Sequence, residues 1–337
     1  MFRCREYQST WHFVLFFLFT FSFHLPLESV PSLVETEAGS KLCDLQHWVH
    51  GRFEKNVFIP QTMSTKARLN IPNKKEGILV KARYHWFDKS DSQQCLRDTT
   101  LWVIGDSYMR HLYVGVMDVL RGIVKNPSDS GMRDRKRPEQ QANLPFISEG
   151  FDQMRMAYLE NTNITIYFIG RKNFGLGLHL ESLKTLLTYA MKNGDAIVLN
   201  VLIHDNKEYR IQSRDFRGNM RAAESYYLKK VSELSEWWQD QNSETKFVWC
   251  TSTSYKESKV PKRYQRYQKN KRILAINAEA RNYWINKGFP VLDVFHITAA
   301  CKASSCTADG SHFNRMVNRA KAQVLMNYLC RPSSCSQ

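Results

Sequence analysis

The sequence has little glycine and little proline, 15 and 10 in 337 residues. That excludes a collagen-like repeat and a low-complexity linker protein, since both depend on those residues. It has no internal repeat. Acidic residues are also short: 32 Asp and Glu stand against 48 Lys and Arg, a net charge of +16. The mean hydropathy is negative, which excludes a protein with many membrane spans. Core-forming residues are not lacking. The chain is 43% hydrophobic and 12% aromatic, too apolar for intrinsic disorder. Its length allows one to two domains, at about 150 residues each.

Long apolar runs are scarce as well, with one exception at the N-terminus. Arg3 and Arg5 precede the apolar run Trp11–Phe23, which is followed by His24-Leu-Pro-Leu27. A basic start and a short apolar stretch form the pattern of an export signal. A spanning helix needs roughly 20 apolar residues. Extending the run to Leu27 brings in His24 and Pro26, beside His12 already within it. Residues 1–29 therefore read as a signal peptide, either cleaved or retained as an anchor. Both readings place residues 30–337 in the secretory pathway, in the Golgi lumen or outside the cell. There the positive charge would meet glycans rather than nucleic acid, with membrane contact only through an N-terminal anchor.

Cysteine usage fits that compartment. Cys4 lies before the apolar run, and seven more follow: Cys43, Cys95, Cys250, Cys301, Cys306, Cys330 and Cys335. In an oxidising compartment most should pair. Cys301 with Cys306 and Cys330 with Cys335 are the expected pairs. Seven is odd, and Cys250 is the candidate free thiol, because it ends the strand-like run Lys246-Phe-Val-Trp-Cys250. No cysteine–histidine spacing fits a zinc site, so no metal is expected. Asn163-Ile-Thr165 is a glycosylation sequon.

From residue 100 onward strands and helices alternate. Short apolar runs at 100–104, 164–169, 196–200, 246–250 and 289–293 predict strands. Helical spacing marks 108–121, 178–192, 219–240, 271–287 and 313–329. Residues 122–150 are polar and basic and read as a loop insertion. Residues 30–98 have weak periodicity and read as a segment wrapping the domain at 99–335. The alternation predicts an α/β fold with a mostly parallel five-stranded sheet covered on both faces. Ligands bind such sheets at the carboxyl ends of the strands.

Two features fall at that edge. Gly105-Asp106-Ser107 follows the first strand and opens a helix. The helix N-terminus carries partial positive charge, which favours a developing oxyanion near Ser107. Asp and Ser are also good helix caps, so the tripeptide alone has a purely structural explanation. The second feature is Asp309-Gly-Ser-His312, before the last helix. An Asp three residues ahead of a His in a turn can accept its Nδ1–H and leave Nε2 free as a base. A lone His there would be structural. Together, on one sheet edge, the two features predict nucleophilic catalysis.

Longer blocks surround these residues. They are Cys95 through Arg110, Asp195-Ala-Ile-Val-Leu-Asn200 followed by His204, Pro290-Val-Leu-Asp-Val294, and Asp309–His312 running on to Met326-Asn-Tyr-Leu-Cys330. They resemble the PC-esterase branch of the SGNH (GDSL-like) hydrolase superfamily. That branch includes the trichome-birefringence-like and sialic-acid O-acetyltransferases and the neurexophilin-and-PC-esterase proteins. The resemblance spans residues 90–330. Cys43 and Gly51-Arg-Phe53 echo a further element more weakly. The resemblance implies a three-layer α/β/α sandwich, with Ser107 as nucleophile, His312 as base and Asp309 as its orienter. It implies oxyanion donors at the Ser107 backbone, Asn200 and Gly170, with Gly175 and Gly177 competing for the last place. Arg110 would steady the site. The spacing after Asn200 departs from the pattern, so His204 is read as structural.

The activity implied is a lumenal O-acetyltransferase. It would move acetyl to a glycan hydroxyl through an acyl-serine, with an acetyl donor such as acetyl-CoA as substrate and no bound cofactor. An esterase using water has the same triad, and a glycan-binding protein could keep the fold without catalysis. The basic run Lys256–Arg272, with Tyr264 and Tyr267 interleaved, reads either as a solvated loop or as a rim for an acidic glycan. In the second reading Arg263, Tyr264 and Arg266 bind the acceptor.

Overall fold

Valine, isoleucine and leucine runs build a six-stranded sheet in the computed structural model. The structure describes residues 51–54, 57–60, 84–123, 151, 153–170, 176–201, 220–265 and 268–330. All of them belong to one unit, Ser40–Gln337. The apolar N-terminal run, Cys4, Cys43, Cys335, most of the basic insertion, Gly175, His204, Arg266 and Tyr267 lie outside the described residues.

The first elements are a hairpin of β1 (Gly51–Glu54) and β2 (Val57–Pro60), then helix α1 (Lys89–Cys95). Strand β3 (Thr100–Gly105) leads into α2 (Ser107–Leu120). Strands β4 (Gln153–Leu159) and β5 (Ile164–Gly170) precede α3 (Leu176–Lys192). Strand β6 (Ala196–Asn200) is followed by α4 (Met220–Asp240), and β7 (Lys246–Cys250) by the short α5 (Lys262–Gln265) and by α6 (Asn270–Asn286). Strand β8 (Val291–Leu292), α7 (Val294–Ala299) and α8 (Arg315–Leu329) complete the chain.

The sheet order is β4-β5-β3-β6-β7-β8. All neighbours are parallel except β4, which runs antiparallel to β5 from Gln153 opposite Gly170 to Leu159 opposite Ile164. The sheet thus has six strands where five were expected. The sixth escapes the apolar-run signal because Gln-Met-Arg-Met-Ala-Tyr-Leu is an edge strand: only Met154 and Ala157 are buried, and Tyr158 faces solvent. Central strands carry continuous apolar runs, whereas an edge strand needs only one buried face.

The two-residue period of β3 sorts its side chains onto two faces. Trp102 and Ile104 join α3, α4 and α6 in one core. Leu101 and Val103 join α2, α7 and α8 in the other, with Phe58, Phe87 and Leu96 from the N-terminal segment. The result is a three-layer α/β/α sandwich.

Cys330 is not positioned by its neighbour in sequence. It ends α8 and is bonded to Cys95 at the end of α1, with the two Cα atoms 5.4 Å apart. The expected Cys330–Cys335 bond is thereby corrected. The reason lies upstream: His85 and Phe87 exchange backbone hydrogen bonds with the side chains of Asn327 and Gln323 at 2.7–2.8 Å. That lays residues 85–87 along α8, and α1, tied to the end of α2 by Gln93 donating to Leu120 O at 2.8 Å, then brings Cys95 to Cys330. Cys301 is bonded to Cys306 as expected. Cys250 is a buried free thiol, and burial pushes its ionisation up. Asn163 is exposed in the turn between β4 and β5, where its φ is +50° and its amide donates to Asp98 at 3.0 Å. No helix among the described residues is long and apolar enough to cross a membrane.

Candidate active site

Three strands end together at the carboxyl edge, with Gly105 in register with Gly170 on one side and Asn200 on the other. Gly105 has φ +146°, and a Cβ there would collide with the Asn200 carbonyl oxygen. Only glycine fits both demands. The buried Asp106 then caps α2, accepting from Tyr108 N–H at 2.8 Å. With capping done by Asp106, Ser107 opens the helix with its hydroxyl free for other work. The backbone N–H groups of this first turn point out of the helix N-terminus.

The partner loop is held from several sides. Cys301 and Cys306 close its base. Thr307 Oγ1 accepts from Gly310 N–H at 3.0 Å and donates to Asp309 at 3.3 Å. Gly310, at φ +81°, turns the chain against the backbone of residues 256–260, and Lys256 N–H donates to its carbonyl at 2.8 Å. The Lys259 ammonium donates to the carbonyls of Ser304 and Thr307 at 2.7 and 2.9 Å. Lys256 donates to Lys302 O at 3.0 Å, and Ser311 Oγ to Gln268 at 3.0 Å.

This loop delivers His312 to Ser107. His312 Nε2 lies 2.9 Å from Ser107 Oγ, and its Nδ1 lies 2.6 Å from Asp309 Oδ2. Asp309 Oδ1 also accepts the backbone N–H groups of Ser311 and His312 at 2.9 and 2.8 Å. Partial burial opposes ionisation of Asp309. The hydrogen bonds from the His312 ring and the two backbone groups outweigh it, and the carboxyl sits below its usual range. An ionised Asp309 can only accept, so Nδ1 carries the proton and Nε2 accepts from the Ser107 hydroxyl.

The other residues named from sequence are placed as follows. Asn200 is buried at the same edge. Its Nδ2 donates to Cys250 O at 2.6 Å, leaving one amide hydrogen for another acceptor. Gly170 ends the neighbouring strand. Arg110 bridges α2 to β4 through Gln153 at 3.2 Å. Gly177 lies in α3. The basic run is not one loop. Lys256 and Lys259 clamp the His312 loop, Lys269 pairs with Glu257 at 3.3 Å, and Arg272 pairs with Glu224. Lys262 and Arg263 are exposed, with the Arg263 guanidinium 4.7 Å from the half-buried Tyr264 ring.

Two features are not evident from motif spacing. One is His111, whose ring stacks on that of His312. It lies four residues after Ser107, which is helical same-face spacing, and that was the available signal. The other is a second Asp-x-x-His, Asp293 to His296, with an Asp293 Oδ2 to His296 Nδ1 distance of 2.7 Å. Asp293 also caps α7 and accepts from Thr251 Oγ1 at 3.0 Å. It follows β8, three strands from β3.

No family model matches the chain, and no curated protein does. Among solved structures the chain is similar to a candidate GDSL-like lipase from Parabacteroides merdae, at 13% identity and TM-score 0.44, covering 69% of this chain and 97% of that one. It is similar to LAE5, an α/β hydrolase enzyme from the metagenome of Lake Arreo, at 12% identity and TM-score 0.43, with the same coverage. It is also similar to a catalytic mutant of the acetylxylan esterase Axe2 from Geobacillus stearothermophilus, at 11% identity and TM-score 0.42, covering 68% and 94%.

Proposed function

We propose that the protein is an acyl-transfer enzyme of the secretory pathway that moves acetyl onto a glycan hydroxyl. The supporting observation is the continuous chain from Ser107 Oγ through His312 to Asp309, at 2.9 and 2.6 Å. Ser107 Oγ attacks the acetyl carbonyl of the donor, and its proton passes to His312 Nε2. The oxyanion forms against the N–H groups at the start of α2, with Asn200 as a further donor. Collapse breaks the bond to the leaving group, which takes the proton from His312, and leaves acetyl on Ser107. His312 then removes the proton of the sugar hydroxyl, which attacks the acetyl-serine. Collapse breaks the bond between Ser107 Oγ and the acetyl carbon, Ser107 takes the proton back from His312 Nε2, and the acetylated sugar leaves. Asp309 holds the tautomer throughout and stabilises the imidazolium.

Hydrolysis is the second reading. The side chains of His312 and Asp309 are 36% and 48% exposed, so water can reach the base. The test is to incubate the full-length protein with a chromogenic acetyl ester, with and without candidate glycans, and to follow acetate and glycan mass. Acetylated glycan supports transfer, whereas acetate alone in the presence of glycan supports the esterase. Equal turnover by a folded Ser107→Ala protein overturns both.

A further inference from the structure

His111 sits one turn beyond Ser107 on α2 and is only 6% exposed. Its ring lies nearly parallel to that of His312, 5.1 Å between centroids and 24° between planes. The ring is tied to α8 and to the residue following His312. Its Nδ1 is 3.3 Å from Phe313 O and 3.2 Å from Asn318 Nδ2, and Asn318 Nδ2 itself donates to Phe313 O at 2.9 Å. Burial pushes His111 well below the ordinary imidazole range, the nearby Lys321 and Arg110 push it further, and the Phe313 carbonyl opposes them only in part.

The two hydrogen bonds of His312 act at its ring nitrogens, in the plane of the ring. They leave the ring free to tilt about the line joining those nitrogens, and its solvent side is open. The His111 face contact restrains that tilt, with the inclined Tyr108 ring 5.6 Å away as a second neighbour. When His312 accepts the Ser107 proton it becomes a cation, and a neutral aromatic face attracts a cation where a second imidazolium would repel it.

We propose that His111 is a positioning residue. Its buried imidazole is the platform that holds the His312 ring in the plane shared by Ser107 and Asp309. In its consequence for rate, the proposal rests on the acyl-transfer reading of Ser107.

The full-length protein and two variants test it. His111→Phe keeps a flat neutral ring, and His111→Gln keeps a polar group for Phe313 and Asn318 but has no ring. Two quantities are measured: kcat and KM for a small acetyl ester, and the downfield proton NMR signal of His312 Nδ1–H. His111→Gln should lose about tenfold in kcat at unchanged KM, the scale of a buried aromatic contact. Its downfield signal should broaden through exchange with water. His111→Phe should recover both. If His111→Gln lowers the melting midpoint, His111→Leu replaces it: it keeps apolar volume without a flat ring and should behave as Gln does. A ringless variant that retains kcat and the signal overturns the proposal. So does a Phe variant that loses the signal as fully as Gln. The signal needs no substrate. A wild-type protein without ester turnover but with a ring-dependent signal would sink the acyl-transfer reading and leave the platform standing.

Discussion

A serine at a helix start and a histidine in a turn are individually common, and what distinguishes Ser107 and His312 is that they meet at 2.9 Å. Ser107→Ala and His312→Ala should each lower ester turnover by about three orders of magnitude or more, because members of such a unit are not additive. Asp309→Asn should cost less, since it removes the orienter and leaves the base. Steady-state rates on folded variants check this. Lys321, also on the scale of single residues, gives a pH signature. It is buried on α8, and burial depresses its ammonium to about 7, partly opposed by Cys250 and Asp106. In the unfolded chain it titrates near its ordinary 10.5. Between those values the unfolded state binds more protons, so stability rises with pH. Below about pH 7 both states are protonated and the cost of the buried charge is felt in full. The wild type should therefore gain stability relative to Lys321→Met as pH rises from 7 to 10, read as melting midpoints across that range. A constant difference would refute the depressed amine.

Helix α8 carries load at both ends. Its N-terminal end holds Asn318 against His111, and its C-terminal end is stapled to α1 through Cys330 and Cys95. At 1.5 Å per residue these ends are about 20 Å apart. Replacing both cysteines by serine should therefore cost about 2–5 kcal/mol of stability. It should leave kcat of the folded fraction near wild type, as denaturant unfolding and rates below the transition will show. The loop clamp behaves oppositely. Lys259→Met removes two hydrogen bonds to the loop that carries Asp309 and His312. The rate should fall by about tenfold at modest loss of stability, on the scale of one to two charge-assisted hydrogen bonds. A Lys259→Met protein with wild-type kcat would show that the loop needs no such support.

The whole molecule carries a net charge of +16, and two exposed residues of the basic run, Lys262 and Arg263, follow closely in sequence on Lys259, which holds the His312 loop. If this surface guides an acceptor, acidic glycans should bind more tightly than neutral ones of equal length. The preference should shrink with salt, since exposed charges are screened over about 8 Å at physiological ionic strength. Charge reversal at Lys262 and Arg263 should raise KM for an acidic acceptor and leave turnover of a small neutral ester unchanged. Unchanged KM across salt and variants would return these residues to an ordinary solvated surface.

The alternation of strands and helices was legible in the sequence, because a buried parallel strand and an amphipathic helix each write a short-range period into the chain. Val103 and Trp102 point to opposite cores for a reason visible in β3 alone. Gly105-Asp106-Ser107 was legible for the same reason, since a tight turn, a cap and a helix start are local demands. Choices between distant partners were not. Asp293-Val-Phe-His296 and Asp309-Gly-Ser-His312 form the same Asp–His bond, at 2.7 and 2.6 Å. Strand order, which no local period records, sets one of them at the end of β8 and lets the loop of the other reach Ser107. Likewise Cys330 meets Cys95 rather than Cys335 because residues 85–87 are bonded along α8 and α1 is tied to the end of α2. His111 becomes the floor under His312 because α2 and α8 pack together on one face of the sheet. Period and caps determine what each segment is, and only tertiary packing decides which segments share a site.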